Sequence, residues 1–342
     1  MSSVAQTMAN AKFYESYARY NLELDRYETW EEAVERVMDM HRAKYADIMS
    51  SELNELINSA EELYKAKHIL GAQRALQYGG EQLLKKNARM YNCTAGYLDR
   101  PEMFNQVFWL MLCGCGVGFS VQKHHIDKLP NIAKRTKTHK HIVVEDSIEG
   151  WADAVGALMQ SFFVTDHPLS GRRISFDLTQ IRPKGAEISG GFKAPGPEPL
   201  QIALSKIEQL LLRELNNGYS KLRTIAAYDI IMFISDAVIA GGVRRAATIC
   251  LFSHDDEDMI KAKTGSWAVD NPQRGRSNNS AVLLRDSTTF EEFKGIMESV
   301  KDSGEPGFVW TDDLDVLFNP CVEVGMYGYT EDGRSGFQMC NL

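Results

Sequence analysis

The 342-residue sequence has no Cys-x-x-Cys pair, so the zinc modules built on that spacing are not expected, and no metal ligand set is expected from the sequence. Its six cysteines, Cys93, Cys113, Cys115, Cys250, Cys321 and Cys340, are spread too widely for the disulfide framework of a small secreted domain. No apolar run approaches the roughly 20 residues needed to cross a bilayer, so no membrane partner is expected. The segment from Met1 to Lys12 has no basic start followed by an apolar stretch, which argues against a secretory signal. There is no excess of positive charge either: the net charge is −8, which excludes a chain that is nucleic-acid-binding over its whole surface. Internal repeats and low-complexity tracts are absent. These absences together predict a cytoplasmic protein with reduced thiols, where scattered cysteines are buried or catalytic.

With 44% hydrophobic and 25% charged residues, the chain has the composition of a globular protein and the length for one large domain or two smaller ones. Residues 1–90 are expected to form a helical N-terminal region. Thr29-Trp30-Glu31-Glu32 is a capping box, followed by apolar residues at helical spacing (Trp30, Ala33, Val34, Val37, Met38). Ser59-Ala60-Glu61-Glu62 has the same form and predicts a second helix start, with a stop near Gly71. From about residue 91 short β-rich runs alternate with helical patterns. The runs are residues 117–121, 141–144, 173–178, 248–252, 280–284 and 307–310. The helical patterns begin at Leu200, Ile230 and the capping box Thr289-Phe290-Glu291-Glu292. This alternation predicts an α/β sheet or barrel. The basic run Lys134–His141 is expected to be a solvated loop, with a contact to nucleotide phosphates as the sharper alternative. Cys113-Gly114-Cys115 is expected to be a tight turn, and Cys250 a core residue.

Asn319-Pro320-Cys321-Val322-Glu323 carries the most chemistry. Pro320 biases Asn319 away from helix, which predicts an extended segment. Residues two apart in such a segment share a side, so Asn319, Cys321 and Glu323 would present an amide, a thiol and a carboxylate together. Those groups can bind a hydroxyl, exchange a hydrogen atom and accept a proton. On the residues alone, a structural turn remains the plainer reading of five positions.

The segment resembles the Asn-x-Cys-x-Glu loop of ribonucleotide reductases, written Asn-Pro-Cys-x-Glu in many adenosylcobalamin-dependent members. Other matches follow in family order: Asn92-Cys93, the Gly-rich run Gly114–Ser120, Ile181–Ile188, Gly196–Leu200, Gly241–Ala247, Asp270–Arg274, Ser277–Ser280, Gly304–Gly307 and Cys340–Leu342. The resemblance covers about residues 91–342. It implies a catalytic subunit similar to the adenosylcobalamin-dependent, class II ribonucleoside-triphosphate reductases. Residues 91–342 would be the first half of a ten-stranded α/β barrel of the thiyl-radical type.

What the resemblance implies for individual residues is specific. Cys321 would become the thiyl radical that takes the ribose 3′ hydrogen. Glu323 would take the 3′-hydroxyl proton, and Asn319 would hold the ribose hydroxyls. Cys93 and Cys340 would supply two electrons and become a disulfide. Asn92, Gly114, Gly116 and Gly118 would lie on the substrate side. Gly241, Gly242, Arg244 and Arg245 would relay specificity from a nucleotide effector. The implied partners are the C-terminal half of the barrel, a ribonucleotide, deoxynucleotide effectors and a thioredoxin-type reductant. A chain of this extent is what a split gene, one side of an intein or a truncated product would give. The stretch between Cys93 and Trp151 is short, so the longer insertion of monomeric triphosphate reductases is expected to be missing, which leaves room for a homodimer. Two other readings stay open: a large subunit served by a separate metal-containing radical subunit, and a non-catalytic nucleotide-binding fragment.

Overall fold

A computed structural model describes residues 3–188, 192–240 and 247–342. The chain divides into two compact units. One comprises Met1–Asn92 with Cys340–Leu342, and the other comprises Cys93–Met339.

The first unit is helical, with a short two-stranded ribbon at Tyr20–Tyr27. Helix α1 (Trp30–Lys44) starts where the capping box predicts: Thr29 Oγ1 accepts from Glu32 N, and Glu32 Oε2 accepts from Thr29 N. These bonds satisfy amides that the first helical turn leaves without partners. Its apolar stripe, Ala33, Val34, Val37 and Met38, is buried. Helix α2 (Ser51–Lys65) corrects the second expectation. Its cap is Ser50, whose Oγ accepts from Leu53 N at 3.0 Å, and Ser59 lies inside the helix. Nothing between Ser51 and Ser59 breaks helical spacing, so the box pattern at Ser59 has no helix start to cap. The last residues of the chain strap onto this unit. Gln73 N donates to the Leu342 carbonyl, and Asn92 N donates to the Cys340 carbonyl at 3.0 Å.

The second unit is built on strands β1 (Cys93–Tyr97) and β2 (Gly116–Ser120), joined by helix α3 (Met103–Leu112). Helix α4 (Lys123–Ile126) is a single turn at the end of β2. Strands β3 (Lys137–Val143) and β4 (Arg172–Asp177) form a separate parallel pair around helix α5 (Ile148–Phe162). Much of the basic run is therefore the exposed strand β3, where a loop was expected. Long helices α6 (Glu198–Asn216) and α7 (Thr224–Ala240) follow. Then come β5 (Thr248–Ser253), β6 (Ser277–Leu284), helix α8 (Phe290–Ser303) and β7 (Gly307–Thr311). The chain ends with the short strands β8 (Leu317–Phe318) and β9 (Gly325–Met326), and with β10 (Phe337–Cys340).

Six strands make the main sheet in the order β7-β6-β5-β2-β1-β10. The pairs β1–β2, β2–β5, β5–β6 and β6–β7 are all parallel. Parallel strands need both faces covered. Helices α3 and α7 supply one cover, with Tyr228 of α7 stacked on Phe119 of β2. On the other face Ala95, Tyr97, Ile249, Leu251, Val282 and Val309 form an apolar cluster closed by Leu317. The second cover is thus the β8–β9 hairpin, whose register pairs Leu317 with Met326 and Phe318 with Gly325.

Candidate active site

The hairpin lies against the sheet because β2 carries glycines where it crosses. A β-carbon at Gly118 would collide with the Phe318 carbonyl. Two residues earlier on β2, a β-carbon at Gly116 would stand 3.3 Å from Pro320 Cγ and 3.5 Å from Cys93 Sγ. Two steps back along β2 answer two steps forward along β8, so the hairpin strand runs antiparallel to β2. It delivers the Pro320–Cys321 turn to the start of β1 and β2, beside the Cys93 thiol.

The far end of the hairpin is held by side chains. Tyr97 Oη donates to the Asp315 carbonyl at 2.5 Å and accepts from Gly328 N at 3.0 Å, tying the entering and leaving strands together. Gln122 Nε2 donates to the Leu314 carbonyl at 2.8 Å. Buried Gln338 donates to the Leu317 carbonyl at 3.2 Å. None of these residues stands out in the sequence, because an isolated Tyr or Gln has many uses.

At the tip the extended reading of Asn319–Glu323 fails. Val322 N donates to the Asn319 carbonyl at 2.9 Å, closing a turn with Pro320 at its second position, where the fixed φ of proline suits a tight turn. The three functional groups are therefore not on one side: Asn319 is fully buried, whereas Cys321 and Glu323 are exposed. Val322 has φ +64°, an unfavourable conformation for a β-branched residue, so the turn holds local strain. Asn319 Oδ1 accepts from Val324 N at 3.1 Å. Its Nδ2 is buried and makes no hydrogen bond among the described residues. A buried amide donor without a partner is costly, and a ligand oxygen would relieve that cost.

Cys321 is exposed, and the other five cysteines are buried. Burial pushes the Cys250 thiol well above its ordinary pKa, in keeping with a core role. Cys113-Gly114-Cys115 is the end of α3. Gly114, at φ +88°, donates to Met111 O, and Cys115 N donates to Leu110 O, the paired bonds of a Schellman cap. The Gly114 amide is thus spent on helix termination. What Gly116 and Gly118 make room for in this structure is the hairpin itself. Asn92 uses its amide on Cys340 and its side-chain oxygen on Leu342 N. Gly241, Gly242, Arg244 and Arg245 lie outside the described residues.

The Asp270–Arg274 motif has a structural task. Arg274 forms a bidentate pair with Asp229 of α7, at 2.8 and 2.7 Å, and donates to the Ala262 carbonyl at 2.8 Å. Burial works to lower the Arg274 pKa, but the hydrogen bonds to Asp229 outweigh it and hold the guanidinium above its usual value.

Sequence reasoning also missed a cluster at the end of β2. His124 Nε2 and His125 Nε2 stand 2.9 and 3.1 Å from Asp315 Oδ1, and His125 Nδ1 is 2.9 Å from Ser120 Oγ. Burial, then the neighbouring His124, push His125 down to about 3 against the opposing pull of Asp315. For Asp315 burial acts upward, but the hydrogen bond from His124 and the charge of His125 hold the carboxyl below its ordinary range.

Residues 120–211 match the family model described as the insertion domain of B12-dependent ribonucleotide reductase. Most of the chain bears a second likeness: a crystal structure of a B12-dependent, class II ribonucleotide reductase superposes with a TM-score of 0.75 and 26% identity, covering 93% of this chain and 53% of that one. The chain is similar to the class II ribonucleotide reductases. Curated relatives agree. Adenosylcobalamin-dependent ribonucleoside-triphosphate reductases from Lactobacillus delbrueckii subsp. bulgaricus and Lactobacillus leichmannii are each 30% identical over 377 residues, covering 93% of this chain and 49% of theirs. The enzyme of that name from Lacticaseibacillus paracasei is 29% identical, covering 86% of this chain and 47% of its own. The chain spans about half the length of the class II reductases it matches. Residues 120–211 thus carry a segment similar to the class II insertion domain. The alignment with the two Lactobacillus reductases spans 377 positions against 342 residues in this chain, so those reductases carry residues within the matched span that this chain lacks.

Proposed function

We propose that this chain supplies the radical-bearing half of an adenosylcobalamin-dependent ribonucleotide reductase, acting on ribonucleotides to make deoxyribonucleotides. The observation that carries the reading is the hairpin tip: an exposed Cys321 beside a fully buried Asn319 whose Nδ2 has no hydrogen-bond partner among the described residues.

Each residue of the tip has a task in that reading. Asn319 Nδ2 donates to a ribose hydroxyl, which satisfies the orphaned amide and orients the sugar. Cys321, as a thiyl, takes the 3′ hydrogen and later returns a hydrogen atom. Glu323 accepts the 3′-hydroxyl proton as a general base. Cys93 and Cys340 give up two electrons and two protons and close a disulfide, and a thioredoxin-type dithiol reopens it by exchange. Supporting this, Cys93 Sγ and Pro320 flank the same glycine of β2, and the Cys340 carbonyl accepts from the residue before Cys93.

The residues present fit the cofactor in the respect that counts here, because the thiol at the tip is the accessible one. Adenosylcobalamin, when bound, supplies a carbon radical by homolysis of its cobalt–carbon bond. Strands β7 and β10 stand at the edges of the sheet, where further strands supplied by the C-terminal half would pair to complete a ten-stranded barrel. The domain boundary in this reading falls near residue 91, between a helical N-terminal region and the barrel half. Deoxynucleotide effectors would act through Gly241–Arg245, and a homodimer is the matching assembly.

The test is reconstitution with a chain carrying the remaining barrel, with ribonucleotide and adenosylcobalamin. Reduction should require the cofactor. After one turnover without external reductant, peptide mapping should find Cys93 linked to Cys340. Activity that ignores cobalamin and needs a metal-containing partner would overturn the cofactor assignment. A Cys113–Cys115 linkage with Cys93 and Cys340 free would overturn the electron donors.

A further inference from the structure

Outside the hairpin tip, the densest convergence of ligand-type atoms among the described residues is at the other end of the hairpin. His124, His125 and Asp315 each offer one donor atom, and the three lie within 4.8 Å of one another. Neighbouring residues of a helical turn point about 100° apart, so consecutive histidines ordinarily diverge. Here both Nε2 atoms converge on Asp315 Oδ1, at 2.9 and 3.1 Å, with ring centroids 3.9 Å apart.

We propose that His124 Nε2, His125 Nε2 and the Asp315 carboxylate form a binding site for a divalent transition-metal ion of the zinc type. Two imidazoles and one carboxylate are a ligand set such ions prefer. Ligand atoms on a tetrahedral ion with bonds of about 2.0–2.1 Å stand a little over 3 Å apart. The two spacings to Asp315 Oδ1, 2.9 and 3.1 Å, are close to that, and the two imidazole nitrogens lie within 4.8 Å of each other, so side-chain shifts admit the ion.

The surroundings meet the other requirements of a metal site. A metal-bound imidazole carries its proton on the opposite nitrogen and needs an acceptor there. Ser120 Oγ is 2.9 Å from His125 Nδ1, whereas its contacts from Gln122 are longer, at 3.2 and 3.3 Å. Asp315 is oriented through its backbone, which donates to Asp313 Oδ1 at 2.8 Å and accepts from Tyr97. His125 is fully buried, but the side chains of His124 and Asp315 are each 39% exposed. The ion would therefore have three protein ligands and a position open to water, together with a path of entry. Its consequence would be mechanical. Asp315 stands two residues before β8, so a bound ion fastens the entrance of the hairpin to the end of β2.

The test is calorimetric titration of the chelator-treated, dialysed full chain with zinc chloride, alongside its His124→Ala and Asp315→Asn variants. The expected result is one saturable equivalent in the wild type, weakened about tenfold or more in each variant, or about 1.4 kcal/mol per factor of ten. His124 is at the surface, so His124→Ala keeps its fold, as circular dichroism will check, and decides the matter if Asp315→Asn does not fold. The cobalt-substituted protein should show visible d–d bands without a thiolate charge-transfer band. Absence of saturable binding, equal affinity in His124→Ala, or a thiolate band that places the ion on cysteines would overturn the proposal.

Discussion

The backbone carbonyl of Phe318 fills the space that a β-carbon on Gly118 would need. This one relationship decides where Cys321 stands, because the hairpin can reach the start of β2 only by crossing Gly118. Gly118→Ala should therefore push the hairpin off the sheet and cost about 1–3 kcal/mol, the usual range for overpacking. Gly116→Ala meets its neighbours at 3.3 Å or more and should cost less. Urea unfolding of the two variants measures the difference. Equal stabilities would show that the hairpin does not pack as described.

The hairpin tip leaves Cys321 exposed while five cysteines are buried. In the folded protein one thiol should react rapidly with a soluble disulfide reagent, and all six only after denaturation. Cys321→Ser should abolish the rapid phase. A rapid phase that survives would place the exposed thiol elsewhere.

Arg274 and Asp229 are a nearly buried, bidentate pair joining α7 to the segment before β6. Removing one partner strands the other charge, so Arg274→Ala should destabilise by about 3–5 kcal/mol. Arg274→Lys should recover only part, since an ammonium cannot make the paired bonds. Denaturation midpoints check both. A stability near wild type for Arg274→Ala would show that the pair does not hold α7 in place.

Arg244 and Arg245 follow a glycine pair in the sequence. Replacing either with Ala in the reconstituted enzyme should change which base is reduced in response to each deoxynucleotide, more than it changes the rate on the best substrate. An unchanged preference across all effectors would count against an effector role.

Local signals were legible in the sequence and long-range ones were not. The boxes at Thr29 and Thr289 cap helices because their polar groups act within one turn. Ser59 carries the same letters but sits mid-helix, since capping also requires the chain to enter from a non-helical residue, and only Ser50 has that geometry. Most strands of the main sheet show as apolar β-rich runs, but β1, Cys-Thr-Ala-Gly-Tyr, is too small and polar to announce itself, although it is buried throughout. The chemistry of Asn319, Cys321 and Glu323 was visible as residue types, but their arrangement was not. Proline excludes helix equally for an extended strand and for a turn, and the Asn319–Val322 hydrogen bond selects the turn. Tyr97, Gln122, His125 and Asp315 meet partners about 190 residues or more away. No spacing pattern encodes such contacts; only the folded sheet brings them together.

Cys321 is proposed as the hydrogen-exchanging thiol, and the most direct test is the rate of ribonucleotide reduction by the reconstituted enzyme with serine at that position. An alcohol O–H is much harder to cleave homolytically than a thiol S–H. Cys321→Ser should therefore form no deoxyribonucleotide, while keeping the wild-type fold by circular dichroism. Deoxyribonucleotide formation by Cys321→Ser at the wild-type rate would show that Cys321 is not the hydrogen-exchanging thiol.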